Sequence, residues 1–245
     1  SLQAKPLDRL RSALFNLLAG AWTLLLMLAI LPVGPFLGAD GMRRYARFWM
    51  RGLQALLRLV VGLSYEVRGL ENLPDRPVII ASKHQSAWET VFFHLVRVDT
   101  VIGLKHELTR IPLFGWYLMI ARNIRIDRGG AAKALRSLTE GARRAVAEGC
   151  SILIFPEGTR TAPGAPPDYK PGVAALYKEL DVPVVPVALN SGLFWGRQSF
   201  VKRPGTITVE FLPPIEPGLE RKAFMALLEQ RIETATDRLL AAAAG

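Results

Sequence analysis

From Ser64 onward the chain alternates short strand-like runs with segments of helical period. This alternation limits the possible folds more than any other feature. Ser64–Arg68, Pro77–Ser82, Thr100–Lys105, Asn123–Asp127, Ser151–Phe155, Val182–Leu189 and Thr206–Leu212 read as strands. Several contain unbroken apolar runs, the pattern of strands buried on both faces. Between them, Ser86–Arg97, Pro112–Ala121, Ala131–Glu148, Pro171–Leu180 and Leu219–Leu240 read as helices. The expected fold is therefore α/β: a mixed, largely parallel sheet flanked by helices. Ligands of such sheets sit beyond the carboxyl ends of strands. Four of these ends carry polar residues: Lys83-His84, Lys105-His106, Asp127-Arg128 and Glu157 to Arg160.

The first quarter of the chain has another character. Ser12 to Ala39 is 28 residues without a charge, and Leu14–Leu31 is nearly all apolar. That run is close to the ~20 residues that cross a bilayer core. Pro32, Gly34 and Pro35 end it. In Met42–Leu63, Arg43, Arg44, Arg47, Arg51 and Arg58 share one helical face, with Tyr45, Trp49, Leu53, Leu56, Val60 and Leu63 opposite. A basic amphipathic helix of this kind suits a membrane interface. Residues 1–63 are thus expected to form a two-helix membrane-docking segment, and residues 64–245 the α/β domain. Lys5, Arg9 and Arg11 precede the apolar run and the arginines follow it. A single span usually carries its basic residues mainly on one side, so a hairpin dipping into one leaflet is favoured over a span. A cleaved signal peptide or a buried core helix are the competing readings.

Composition narrows the partners. Half the residues are hydrophobic, which excludes disorder. Cys150 is the only cysteine, which excludes a disulfide scaffold. The net charge is +10, and eight Lys and Arg against two acids put +6 of it in residues 1–63. Such a chain meets nucleic acid, an anionic membrane surface or a phosphate-bearing substrate. No helix-turn-helix, zinc-finger or RNP string supports nucleic acid.

Two strings carry chemistry. In His84-Gln-Ser-Ala-Trp-Glu89, a His ends a buried strand and a carboxylate follows in the first helical turn. The Glu can fold back on one ring nitrogen, leaving the other as a base. Ser86 and Glu89 also fit a capping box, which would explain Glu89 without chemistry. In Phe155-Pro-Glu-Gly-Thr-Arg160, Gly158 frees the backbone, and backbone N–H groups with the Arg160 fork can ring an anion. Lys105 and Arg128 extend that basic ring. Val182 to Val187 reads as a pocket wall, and Cys150 as a core residue. His94 reads as packing or surface, and His106 could touch a phosphate. The three His show no metal-ligand spacing.

Taken together, these strings resemble the 1-acyl-glycerol-3-phosphate (lysophosphatidic acid) acyltransferase family over roughly residues 60–215. The H-x-x-x-x-D block falls at His84 to Glu89, with Glu where the family usually has Asp. K-x-E-L falls at Lys105 to Leu108, and a further block ends at Asp127-Arg128. F-P-E-G-T-R at 155–160 is unchanged, and V-P-V-x-P-V falls at 182–187. The resemblance implies transfer of a fatty acyl group to the sn-2 hydroxyl of lysophosphatidic acid, giving phosphatidic acid. The donor would be acyl-CoA or acyl carrier protein, with no further cofactor and no metal. His84 would be the base and Glu89 its orienter. Arg160, Lys105, Arg128 and the Gly158 backbone would hold the acceptor phosphate, with Glu157 and Thr159 completing that substrate-binding loop. Leu113, Phe114, Trp116 and Tyr117 read as plain core or as the lining of an acyl tunnel. The implied location is the cytoplasmic face of a bacterial inner membrane, with membrane lipids and an anionic surface as partners and no nucleic acid. Glycerol-3-phosphate or a lyso-ornithine lipid are alternative acceptors.

Overall fold

Seven strands among the described residues pair in one sheet, in the order β1-β7-β6-β2-β5-β3-β4. They are β1 (Leu63–Arg68), β2 (Ile79–Ser82), β3 (Thr100–Lys105), β4 (Ile124–Ile126), β5 (Ser151–Ile154), β6 (Val184–Leu189) and β7 (Gly205–Phe211). Every pairing is parallel except β6 with β7. The structure, a computed structural model, describes residues 5–105, 120–126 and 130–243. The mixed, largely parallel sheet expected from the alternation is the one that forms. The parallel set β6, β2, β5, β3 and β4 aims all five carboxyl ends at one edge.

Period-two alternation sorts the strand side chains into two cores. Ile79, Ala81, Ile152 and Val184 face α4 (Ala131–Ala147), α5 (Gly172–Leu180) and α6 (Arg221–Ala242), meeting Ala142, Leu176, Phe224, Leu228 and Ile232. Ile80, Leu153, Val185 and Val187 face the other way, onto Trp88, Phe92 and Phe93 of α3 (Trp88–Val96) and onto Phe15. Burying each such large side chain contributes about 1.5–3 kcal/mol. Cys150 lies in the first core, where burial pushes its thiol pKa up, as suits a packing residue.

Phe15 belongs to α1 (Pro6–Ala29), which is followed by a short turn and by α2 (Gly38–Leu56). At about 1.5 Å per residue its 24 residues reach about 36 Å. The helix is fastened to the rest of the protein along its length. Ser12 Oγ accepts the Lys202 N–H at 2.8 Å, and Lys202 Nζ donates to Asn16 Oδ1 at 2.6 Å. That ammonium sits among Phe15, Trp195 and Phe200, 4.6 Å from the nearest ring centre, and burial lowers its pKa to about 8. Farther along, Trp49 Nε1 donates to Thr23 Oγ1 and Tyr45 Oη to the Leu26 carbonyl. Trp22 lies so close to α2 that a Cβ on Gly52 would fall 2.3 Å from its indole nitrogen.

These contacts correct the expectation for α2. The face holding Tyr45 and Trp49 packs on α1 rather than outward. Arg43 is not on a free arginine face either: it is buried, paired with Asp40 and donating to the Ala121 carbonyl. Arg44, Arg51 and Arg58 are exposed as expected. The outward apolar surface belongs to α1 instead. Leu7, Leu10, Leu14, Leu17, Leu24 and Leu28 form an exposed stripe at helical spacing.

Candidate active site

The sheet order brings together residues that the sequence separates. β2 lies between β6 and β5, so Lys83-His84, Asn190-Ser191 and Phe155 to Arg160 leave adjacent strand ends. His84 Nδ1 is 3.1 Å from Glu89 Oε1. Glu89 is fully buried, whereas the His84 side chain keeps 12% exposure. The ring stacks flat on Phe155, centroids 3.9 Å apart and planes at 15°. A carboxylate only accepts, so Nδ1 donates, which leaves the lone pair of a neutral ring on Nε2.

Glu89 makes both the ring contact and the cap contacts open to it. Its Oε1 accepts the Gln85 and Ser86 N–H groups at 2.5 and 2.6 Å, and Ser86 Oγ accepts the Trp88 N–H at 3.1 Å. The start of α3 is thereby capped, an arrangement worth about 1 kcal/mol. The same oxygen faces His84. Glu89 Oε2 accepts the Ser191 hydroxyl at 2.9 Å.

Glu157 occupies a different position from the one expected of a substrate contact. It is buried, and its oxygens are taken by protein donors. Lys83 Nζ and Thr161 Oγ1 each donate to Oε1 at 2.8 Å, and the His84 N–H donates to Oε2 at 3.2 Å. Lys83, itself buried, also holds Glu233 of α6 at 2.8 Å, and Tyr169 donates to the same carboxylate at 2.8 Å. Burial, followed by the Glu233 charge, pushes the Tyr169 pKa far up. Glu157 therefore holds the loop and the His84 backbone from behind.

The rest of the loop faces outward. Gly158 takes a φ of +66°, a left-handed turn that favours glycine, and its N–H closes the turn on the Phe155 carbonyl at 2.9 Å. Thr159 is exposed and Arg160 half-buried. Arg197 Nη1 donates to the Arg160 carbonyl at 3.1 Å, and Arg160 lines the same cavity as His84. Lys105 ends β3 by its backbone, but its side chain lies outside the described residues. Arg128, His106 and the expected tunnel residues Leu113, Phe114, Trp116 and Tyr117 lie outside them too.

A cavity of about 640 Å³ runs inward from His84, Gly158 and Arg160. Its inner wall is mainly apolar: Leu26 and Met27 of α1, Met42, Trp49 and Met50 of α2, and Leu153 and Val173. His94, mid-helix in α3, also lines it. Burial, then the Arg43 charge, lowers its pKa to about 4, so the ring is neutral.

Sequence reasoning missed Ser191, Lys83, Glu233, Tyr169 and the stacking of Phe155 on His84. Ser191 follows a recognised strand, and Lys83 and Phe155 lie within the quoted strings. Glu233 carries no local signal, because only tertiary folding brings α6 to β2.

Residues 64–190 match the acyltransferase family model, which is more than half of the chain. The chain therefore belongs to the acyltransferase family. A Pseudomonas aeruginosa protein named 1-acyl-sn-glycerol-3-phosphate acyltransferase is 38% identical over 227 residues, covering 91% of this chain and 88% of that one. A protein of the same name from Limnanthes alba is 33% identical over 205 residues, covering 83% and 70%. The crystal structure of the 1-acyl-sn-glycerophosphate (LPA) acyltransferase PlsC from Thermotoga maritima superposes with a TM-score of 0.73, over 94% of this chain and 98% of that one. At 21% identity this likeness speaks for the fold alone.

Proposed function

We propose that the protein transfers a fatty acyl group from an acyl thioester, acyl-CoA or acyl carrier protein, to the sn-2 hydroxyl of lysophosphatidic acid, giving phosphatidic acid. The observation that carries this reading is the 3.1 Å contact between His84 Nδ1 and buried Glu89, set at the mouth of an apolar cavity with Arg160 alongside. His84 Nε2 takes the hydroxyl proton as the oxygen attacks the thioester carbonyl carbon. The tetrahedral intermediate then breaks its C–S bond, and the departing thiolate recovers the proton from His84. One ester forms, one thioester is lost, and no covalent enzyme intermediate is needed. Glu89 fixes the tautomer and offsets the imidazolium charge. A positioned His base accelerates such a step about 10²–10⁴-fold.

Arg160 grips the acceptor phosphate, with Gly158 and Thr159 shaping the loop and Lys105 and Arg128 completing the basic ring. Glu157 serves this site from behind, by holding the loop. The cavity takes the acyl chain, walled by α1, α2 and strand-end residues. No further cofactor is required.

Residues 1–63 form the membrane-docking unit and residues 64–245 the catalytic unit of this reading. The exposed leucine stripe of α1 enters one leaflet, and Arg44, Arg51 and Arg58 meet anionic headgroups. A monotopic arrangement is supported by α1 being fastened to the protein at Ser12, Thr23 and Leu26. In this reading the site faces the cytoplasm from a bacterial inner membrane, where a soluble thioester donor can reach it. Mass spectrometry of reactions containing lysophosphatidic acid, glycerol-3-phosphate or a lyso-ornithine lipid tests the acceptor. Phosphatidic acid should form fastest from lysophosphatidic acid. Preferential acylation of either competitor would replace that substrate.

A further inference from the structure

Glu89 is bound unevenly. Oε1 receives the Gln85 and Ser86 N–H groups and faces His84 Nδ1, whereas the Oε2 partner among the described residues is the Ser191 hydroxyl, at 2.9 Å. The terminal torsion of a glutamate is broad. The contacts on Oε1 pin one oxygen but leave the carboxylate plane free to swing about it. A second contact on the other oxygen stops that rotation and keeps Oε1 aimed at Nδ1.

Ser191 is built to be such a stop. It is fully buried directly after β6, the strand beside β2. On one side Asn190 Oδ1 accepts the Thr208 N–H at 2.9 Å. On the other the Gly192 N–H donates to Gln85 Oε1 at 3.0 Å. The Ser191 carbonyl accepts the Phe194 and Trp195 N–H groups at 3.1 and 2.9 Å. The backbone passes so close that a Cβ on Gly192 would sit 2.8 Å from Pro163 and 3.0 Å from Gln85. The hydroxyl is thus presented from a segment tied to β7, to the His84 loop and to its own turn.

We infer that Ser191 is a positioning residue for the proton transfer at His84, acting through Glu89. This rests on the His84–Glu89 reading above. The test is a double-mutant cycle of Ser191→Ala and Glu89→Ala, reading kcat and both substrate KM values, with thermal melting as the check on folding. Ser191→Ala alone should lower kcat about tenfold, the loss expected from one hydrogen bond to a buried charge, with both KM values within about twofold. In the Glu89→Ala background it should lower kcat no further, because the group it positions is gone. An unchanged kcat for Ser191→Ala, a loss confined to KM, or a tenfold loss that persists without Glu89 overturns the role of Ser191 alone. Wild-type turnover by Glu89→Ala overturns the His84–Glu89 reading and Ser191 with it.

Discussion

Glu89 and Glu157 are both buried carboxylates beside adjacent strand ends, and both contact the His84 residue. Their partners differ in charge. Glu157 is matched by the Lys83 ammonium, which Glu233 also holds. Glu89 is held by two backbone N–H groups, a serine hydroxyl and the His84 imidazole, with no Lys or Arg among these partners. A buried charge matched by a fixed cation is at rest, and its field on its surroundings is largely cancelled. A buried charge held only by dipoles keeps its field and becomes most favourable when a positive charge forms next to it, as it does when His84 takes a proton. In the proposed reaction one carboxylate is therefore framework and the other assists the chemistry, although both sit in strings of similar appearance.

That distinction can be broken by experiment. Glu89→Ala should lower kcat by about a thousandfold, within the range contributed by a positioned base, in kinetics on protein whose melting profile shows it still folded despite losing the α3 cap, worth about 1 kcal/mol. Glu157→Gln should do the reverse. It removes one of the two carboxylates on a buried lysine, so thermal melting should show a loss of about 2 kcal/mol, below the 3–5 kcal/mol of fully breaking a buried pair. Its kcat should fall less than tenfold. Arg160→Ala should raise the KM for lysophosphatidic acid roughly tenfold or more, as loss of charge-assisted hydrogen bonds to a phosphate requires, with the thioester KM unchanged.

A further test concerns His94, whose pKa in the fold is about 4 against the ordinary 6.5. The unfolded chain takes a proton first as the pH falls. The stability linked to His94 is thus fully present above pH 6.5 and lost between 6.5 and about 4, with a slope of about 1 kcal/mol per pH unit. Denaturant melts across that window should show the slope, and His94→Asn should flatten it.

The sheet was legible from the alternation of runs because period two and period 3.6 are local properties. So were His84, Glu89 and the Gly158 turn, each set by residues within six positions. Neighbour relations in the sheet were not. Nothing in Val182–Leu189 says that it lies beside β2, so Ser191 was read past. Glu157 was assigned to substrate because its buried partner Lys83 is 74 positions away. The α2 face was read as membrane-facing because apolar periodicity reports that a face is covered, not by what. Trp49 and Tyr45 are covered by α1, and the exposed leucines of α1 were hidden in a run apolar on every side.

The central claim is that His84 is the base of acyl transfer and that the membrane surface is a separate part of the molecule. The most direct measurement is phosphatidic acid formation by His84→Ala on anionic vesicles, with vesicle binding measured in the same samples. The account predicts turnover below about one-thousandth of wild type with undiminished binding. Turnover near the wild-type rate in the bound protein would contradict it.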